Sequence, residues 1–373
     1  MKVRFFTSAR EYREKKSEFN TAIENVLKDG ISTLGDEVKE FEKEVQKFTG
    51  AKYAIGVASG TDALVIASDI LGFNEGKEVI TSPFTFLASA SCIARHGAKP
   101  VFVDIDKDTF EIDASKIEEK VTDKTAGILP IHLFCQMADM DKIMDIAKKY
   151  NLKVLEDAAE AFGMRWEGNG SEYRHSGTIG DYGIFSFFPT KTLGAYGDGG
   201  MIVTNDEKLA ELAKMYRVHG ASKKYHYDYL GYNSRLDTIQ AAILLVKIKY
   251  IEEAVKKREA VSDMYFERLK DVDGIIFPKI KGNQKPVHYV FNILAERRDK
   301  LTEYLKSNEV QYSIYYPIPL HLQKCFSYLG YKEGDFPVAE RVSKEILALP
   351  IYPEITEEEV DFVCKMIKDF YRK

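Results

Sequence analysis

Ile184-Phe185-Ser186-Phe187-Phe188-Pro189-Thr190-Lys191-Thr192-Leu193-Gly194-Ala195-Tyr196-Gly197-Asp198-Gly199-Gly200 is the stretch on which the reading of this chain turns. Its first residues, 184–188, form an apolar strand, and residues 200–204 form another. Between them runs a glycine-rich loop carrying one lysine, Lys191. A neutral lysine amine condenses with aldehydes, and burial or a nearby cation lowers its pKa toward working pH. The plain alternative is a solvated loop lysine.

Outward from this stretch, strands and helices alternate. Residues 53–58 read as a short strand, 61–71 as a helix, 78–80 as a strand, 86–96 as a helix and 100–103 as a strand. Residues 126–131 and 153–155 continue the strands, with a helix at 140–150 between them. Continuous apolar strands between helices indicate a mostly parallel sheet covered on both faces, so the fold class is α/β. Two amphipathic helices precede it. In residues 18–29, Phe19, Ile23, Val26 and Leu27 share a face and Gly30 is the stop. In residues 37–48, Val38, Phe41, Val45 and Phe48 do the same before Gly50.

Residues 237 to about 271 read as one long helical region leading into a second domain. Beyond it come a strand pair at 274–278 and 287–294 and helices at 298–308, 338–346 and 357–371, a small α+β lobe. The expected division is a large domain at 1–245 and a small one at 246–373. Residues 168–177 and 279–285 read as surface excursions.

The composition bounds what else the chain does. Its 373 residues suffice for two lobes, and 45 % apolar with 30 % charged residues is an ordinary globular balance. Net charge is −5 and no basic tract points to nucleic acid or a membrane surface. Residues 1–7 lack the apolar core of a signal peptide, and the longest apolar run, 241–246, is far too short to span a bilayer. Cys92, Cys135, Cys325 and Cys364 make no Cys-x-x-Cys pair, so no metal site is expected. Reduced thiols of a cytoplasmic protein are.

Further residues give Lys191 a chemistry. Asp157 follows Val154-Leu155-Glu156, at the carboxyl end of a strand, where ligands bind in open α/β sheets. A carboxylate there would keep a pyridine nitrogen protonated; it would equally cap the next helix. Ser59-Gly60-Thr61-Asp62 joins a strand to a helix start, whose N–H groups suit a phosphate; it also reads as an ordinary N-cap. Ser186 would add a hydroxyl, or be an alternating strand residue. Phe86 would stack on a flat ring, or belong to the core. An amine, a strand-end acid and a nearby serine are the parts a pyridoxal phosphate (PLP) enzyme needs.

Taken together and in this order, these segments resemble the DegT/DnrJ/EryC1/StrS family of PLP-dependent sugar aminotransferases, which have the aspartate aminotransferase-like fold (fold type I). The matching segments are Ser59-Gly60-Thr61-Asp62-Ala63-Leu64, Glu156-Asp157-Ala158-Ala159, Ser186 to Lys191, Gly197-Asp198-Gly199-Gly200 and Asn233-Ser234-Arg235-Leu236-Asp237. Tyr316-Pro317-Ile318-Pro319-Leu320-His321-Leu322-Gln323 and Phe336-Pro337-Val338-Ala339-Glu340 extend them.

The resemblance implies roles. Lys191 is the Schiff-base lysine and proton carrier, and Asp157 the pyridinium partner. Gly60, Thr61 and Ser186 hold the phosphate, and Phe86 stacks. Asn233 reaches the phosphate of a neighbouring subunit, implying a homodimer with shared active sites. Arg235, Tyr315, Tyr316 and His321 contact substrate, and L-glutamate is the amino donor. Two positions depart from the pattern. Many relatives carry Gln or His where this chain has Glu160; an ionised Glu160 only accepts hydrogen bonds and repels a phenolate, so it is protonated or takes another role. The other is His132-Leu133-Phe134-Cys135-Gln136-Met137, a segment where Gly and Pro are common in relatives; in the 3-keto glucuronate enzymes a His is expected where this chain has Tyr315.

Pro83-Phe84-Thr85-Phe86, Arg217-Val218-His219-Gly220, Ala221 to His226 and Leu329 to Asp335 resemble most nearly the 3-aminotransferases of UDP-linked 3-keto-N-acetylhexosamine sugars. That resemblance implies transfer to C3 of UDP-3-keto-N-acetylglucosamine or its uronic acid, for cell-envelope polysaccharide or lipid A synthesis. A dTDP-3-keto-6-deoxyhexose or a 4-keto sugar is the alternative substrate. A non-catalytic binding or regulatory protein is the alternative class.

Overall fold

The computed structural model describes residues 1–168 and 173–372. Seven strands form the central sheet: β1 (Tyr53–Val57), β2 (Glu78–Thr81), β3 (Lys99–Phe102), β4 (Thr125–Ile128), β5 (Lys153–Asp157), β8 (Tyr182–Ser186) and β9 (Gly200–Thr204). Their order is β1-β9-β8-β5-β4-β2-β3. Every pairing from β8 to β3 is parallel, and β9 runs antiparallel between β8 and β1. The α/β fold with a mostly parallel sheet is therefore as expected.

The strands are buried on both faces because each lies between helices. α4 (Gly60–Ile70), α5 (Leu87–Arg95) and α7 (Glu207–Tyr216) belong to the layer of one core cluster. α3 (Asp36–Thr49), α6 (Met140–Tyr150) and α8 (Thr238–Ile248) belong to another. α3 buries Val38, Phe41 and Val45, and ends on Gly50 at φ 78°, a left-handed value that suits glycine. α1 (Ala9–Glu14) and α2 (Lys16–Asp29) precede it, and Phe19 of α2 packs against Ile243 and Val246.

The expected single helix over 237–271 is two helices, α8 and α9 (Ile251–Leu269), separated at Lys249 and Tyr250. No proline or glycine marks that break in sequence. The C-terminal strands also differ from the expected pair. β12 (Ile275–Ile276), β14 (Phe291–Ala295) and β15 (Ile346–Leu349) form a three-stranded antiparallel sheet. α9, α10 (Arg298–Ser307) and α12 (Glu357–Tyr371) supply its core with Tyr265, Leu301 and Val363, and α11 (Pro337–Glu345) leads into β15.

Two segments read as surface excursions are partly structural. β6 (Arg165–Trp166), β7 (Arg174–His175) and β13 (Gln284–Lys285) form a small sheet in which Trp166, His175 and Gln284 are buried. Residues 169–172 of the first excursion lie outside the described residues. A hairpin of β10 (Ala221–Lys223) and β11 (His226–Tyr227) projects Tyr225, Tyr227 and the 95 % exposed Leu230 into solvent.

Candidate active site

The site begins where β1 turns into α4. Ser59 caps the helix, its Oγ accepting from Asp62 N at 3.0 Å, and leaves the N–H groups of Gly60 and Thr61 to face an anion. Gly60 is required here. A Cβ on it would lie 2.8 Å from Ser186 Cβ, so only glycine lets the helix start approach β8. Thr61, Gly60 and Ser186 thereby line one end of a single cavity of about 430 Å3.

The lysine loop leaves the sheet at Ser186 and returns at Gly200, and those two residues are paired in the β8–β9 register. Phe187 N donates to Gly199 O and Ala195 N to Phe187 O, both at 2.8 Å, so the loop is closed on itself. Gly194 is forced by contact, since a Cβ would lie 2.4 Å from Pro189 O. Lys191 reaches back into the cavity, with its side chain 14 % exposed.

Asp157 ends β5 beneath the same cavity and is 3 % exposed. Its Oδ2 accepts from Ser89 Oγ at 2.7 Å and its Oδ1 from Ala159 N at 3.1 Å. Ser89 Oγ is also 3.0 Å from Thr85 Oγ1. Burial raises the Asp157 pKa, against the lowering by Ser89, Ala159 and Lys191. A buried carboxylate with neutral donors on both oxygens is short of a cation, which a protonated ring nitrogen supplies.

Glu160 lies one turn on, 8 % exposed. Its Oε1 is 3.2 Å from Lys191 Nζ and 3.4 Å from Tyr316 Oη, and its Oε2 accepts from Phe134 N at 3.2 Å. Sequence reasoning expected burial or a cation to lower the Lys191 pKa. Burial does lower it, but the charge of Glu160, with Tyr289 and Asp157, outweighs that effect and the net shift is upward. In the protein alone the amine is thus an ammonium held by Glu160.

Phe86, the N-cap of α5, is 57 % exposed on the cavity wall, its ring centre 6.3 Å from that of Tyr316. Tyr315 and Tyr316 also line the cavity. Asn233, Arg235 and His321 do not. Asn233 is exposed and pairs its backbone with Val218; Arg235 is half-buried close by. His321 is 1 % exposed, its Nε2 lies 3.0 Å from Glu340 Oε1, and its ring stands edge-on to Phe336. His321 is thus buried outside the cavity lining, with its imidazole on Glu340.

Several residues in and around the site were missed. Tyr289 and Thr190 face Lys191, and Ser89 carries Asp157. Glu156, beside Asp157 but pointing away, is fully buried and accepts from His132 Nε2 at 2.8 Å and from the N–H groups of Gly177, Ile179 and Gly180. Burial raises its pKa, but His132 and these donors outweigh that and the net shift is downward. It anchors the carboxyl end of β5. A signal was there to read: His132 and Glu156 are polar residues inside apolar runs.

The donor set fits PLP. The helix start with Gly60, Thr61 and Ser186 suits its phosphate, Asp157 its ring nitrogen, Phe86 its ring face and Lys191 its aldehyde.

Comparison with known proteins agrees. The family model described as the DegT/DnrJ/EryC1/StrS aminotransferase family matches residues 13–368. A "pleiotropic regulatory protein" of Geobacillus stearothermophilus is 45 % identical, over 100 % of this chain and 99 % of its own. The UDP-2-acetamido-2-deoxy-3-oxo-D-glucuronate aminotransferase of Pseudomonas aeruginosa is 38 % identical over 97 % and 98 %. The dTDP-3-amino-3,6-dideoxy-alpha-D-galactopyranose transaminase of Aneurinibacillus thermoaerophilus is 40 % identical over 95 % and 96 %.

Among solved structures, S. venezuelae DesV superposes with a TM-score of 0.95 at 34 % identity, over 100 % of this chain and 99 % of DesV. A Bacillus subtilis protein, ntda, with bound PMP gives a TM-score of 0.90 at 32 % identity, over 100 % and 86 %. This chain belongs to the DegT/DnrJ/EryC1/StrS aminotransferase family, and is an aminotransferase with PLP as its cofactor.

Proposed function

We propose that this enzyme moves an amino group from L-glutamate to C3 of a nucleotide-linked 3-keto sugar, UDP-3-keto-N-acetylglucosamine or its uronic acid. Cytoplasmic supply of amino sugars for cell-envelope polysaccharide or lipid A synthesis is the setting that suits such a product. The observation that carries the amino-transfer reading is Lys191 and Asp157 in one cavity, with a helix start and Ser186 at its end. The position C3 rests on the relatives: the Pseudomonas name specifies a 3-oxo sugar and the Aneurinibacillus name a 3-amino sugar. The second name also favours a dTDP-linked 3-keto-6-deoxyhexose as a second reading.

PLP supplies the electron sink when bound. The chain supplies the rest. Asp157 holds negative charge at the ring nitrogen and is itself aimed by Ser89. Lys191 Nζ would move the proton that the transfer requires, and Glu160 Oε1 is placed to receive that ammonium when it is free. Phe86 and Tyr316 wall the cavity against water. Tyr315 and Tyr316 offer hydroxyl donors to the sugar, and Arg235 and Asn233 act across a homodimer, in the partner's site. His321 is left out of these contacts, its imidazole being occupied by Glu340.

The test is a pair of half-reactions read by absorption. The PLP-loaded protein should lose its visible band on adding L-glutamate. The aminated protein should regain it with UDP-linked 3-keto sugars. Regain only with dTDP-linked sugars would select the second reading, and regain only with 4-keto sugars would end both. Failure to bleach with any amino donor would favour a regulatory protein, the sense of the Geobacillus relative's name.

A further inference from the structure

Tyr289 lies outside every motif that marks the site in sequence, yet the reactive amine sits on it. Lys191 Nζ is 4.3 Å from the centre of the Tyr289 ring and 3.2 Å from Glu160 Oε1. A cation above an aromatic face is attracted by the ring quadrupole, most strongly where water is excluded. Tyr289 is 7 % exposed.

Tyr289 is held at three points, one on its hydroxyl and two on its backbone. Tyr289 Oη is 3.2 Å from Thr190 Oγ1, on the residue before the lysine. Tyr289 N donates to Val287 O at 2.9 Å. Tyr289 O accepts from Arg258 Nη1 at 3.2 Å. Arg258 belongs to α9, is 2 % exposed, and the same nitrogen also donates to His288 O and Ile351 O. It pairs with no carboxylate among the described residues, and burial pushes its pKa down to about 10. Burying a guanidinium without an anion is costly. Here the cost goes into fixing the backbone of residues 288 and 289.

We propose that Tyr289 is a positioning residue of the amino-transfer reaction. Its ring and the Glu160 carboxylate form a seat for the Lys191 ammonium, occupied whenever that amine is not bonded to the cofactor. The proposal rests on the PLP reading above. In a transaminase the lysine is released and recaptured in each half-reaction. A free four-carbon amine loses rotamer freedom each time it returns, and a seat within reach of its target limits that loss.

The charged and titratable groups around the seat come from three parts of the chain. Asp157 and Glu160 lie at the end of β5 and in the turn after it. Tyr289 comes from the segment before β14. Tyr315 and Tyr316 come from the segment before α11. Of these, Glu160, Tyr289 and Asp157 raise the Lys191 pKa.

The experiment follows capture of PLP by the apoprotein, through growth of the visible band, as a function of pH. Only neutral amine captures the aldehyde, so the profile reports how firmly the ammonium is held. Tyr289→Leu should shift the midpoint of that profile down by about one unit, and speed capture several-fold at a pH below it. Tyr289→Phe, which keeps the ring, should follow the wild type. Tyr289→Met fills the space without a ring and stands in if the Leu protein does not fold.

A Leu or Met profile that overlies the wild type overturns the seat. A Phe profile shifted as far as the Leu profile also overturns it, because the hydroxyl and not the ring would then matter. Lys191→Ala separates this from the underlying assignment. A visible band that persists in that variant means the lysine reading has failed, whatever the Tyr289 variants do.

Discussion

At the scale of single residues, Asp157 and Lys191 are separable. Asp157→Asn should keep the cofactor, since phosphate and lysine contacts remain, but lose at least roughly a hundredfold in kcat for want of charge at the ring nitrogen. Cofactor content and steady-state rate, measured on one preparation, check this. Wild-type turnover would reduce Asp157 to a helix cap. Lys191→Ala should abolish turnover and leave the melting curve within a few degrees of wild type, because the loop is closed by backbone bonds that do not involve that side chain.

The sequence made these two residues readable because each ends a short run of strong local pattern. Gly60, Ser186 and Phe86 were readable for the same reason. Tyr289 and Ser89 were not. Each reaches the site across a long sequence separation, and its neighbours look like ordinary core. Glu160 was legible as a departure, but what it does depends on Lys191 standing 3.2 Å away, a tertiary fact.

At the scale of elements, the turn from β1 to α4 is the joint most sensitive to volume. Gly60→Ala would bring a methyl to 2.8 Å from Ser186 Cβ. Either α4 or β8 must yield, so PLP affinity should fall at least about tenfold while the fold survives. Titration of apoprotein with PLP gives the answer, and an unchanged affinity would mean the phosphate is held elsewhere. The small sheet of β6, β7 and β13 makes a separate prediction about pH. Its His175 is buried, and burial lowers the imidazole pKa to about 4. The depressed value means that the unfolded chain takes up the proton first. Stability is full above about pH 6.5 and is lost as pH falls toward about 4, on the order of 2–3 kcal/mol from this group. Urea midpoints across that range, with the His175 ring signals followed by NMR, test it; protonation near pH 6.5 in the folded protein would remove the effect. Periodicity found the long amphipathic helices and most central strands. It could not find β6, β7 and β13, whose two-residue strands carry no repeat and are held by pairing with distant chain.

For the whole molecule, Asn233 lies outside its own chain's cavity, and the proposed homodimer would place it in the partner's site. Mixing Lys191→Ala with Asn233→Ala protein under subunit exchange should restore activity, because one site of each mixed dimer then carries neither change. Absence of recovery, with exchange verified, would argue for self-contained sites. A division into a large and a small domain was expected from the change of pattern after residue 237. The break between α8 and α9 was not, since both flanks are strong helix formers and no glycine or proline stands between them.

The antiparallel strand β9 has a consequence for the newborn chain. β1 emerges early from the ribosome, but its only partner in the sheet is β9. The Ser59–Gly60 backbone packs so closely on Gly200 that a methyl there would lie 2.3 Å from Ser59 C. Pairings this distant in sequence form late. The phosphate cradle and the lysine loop are therefore completed by the same event, the arrival of β9. A chain arrested on the ribosome before Thr204 is clear should display the β1 sequence and yet be unable to retain vitamin B6.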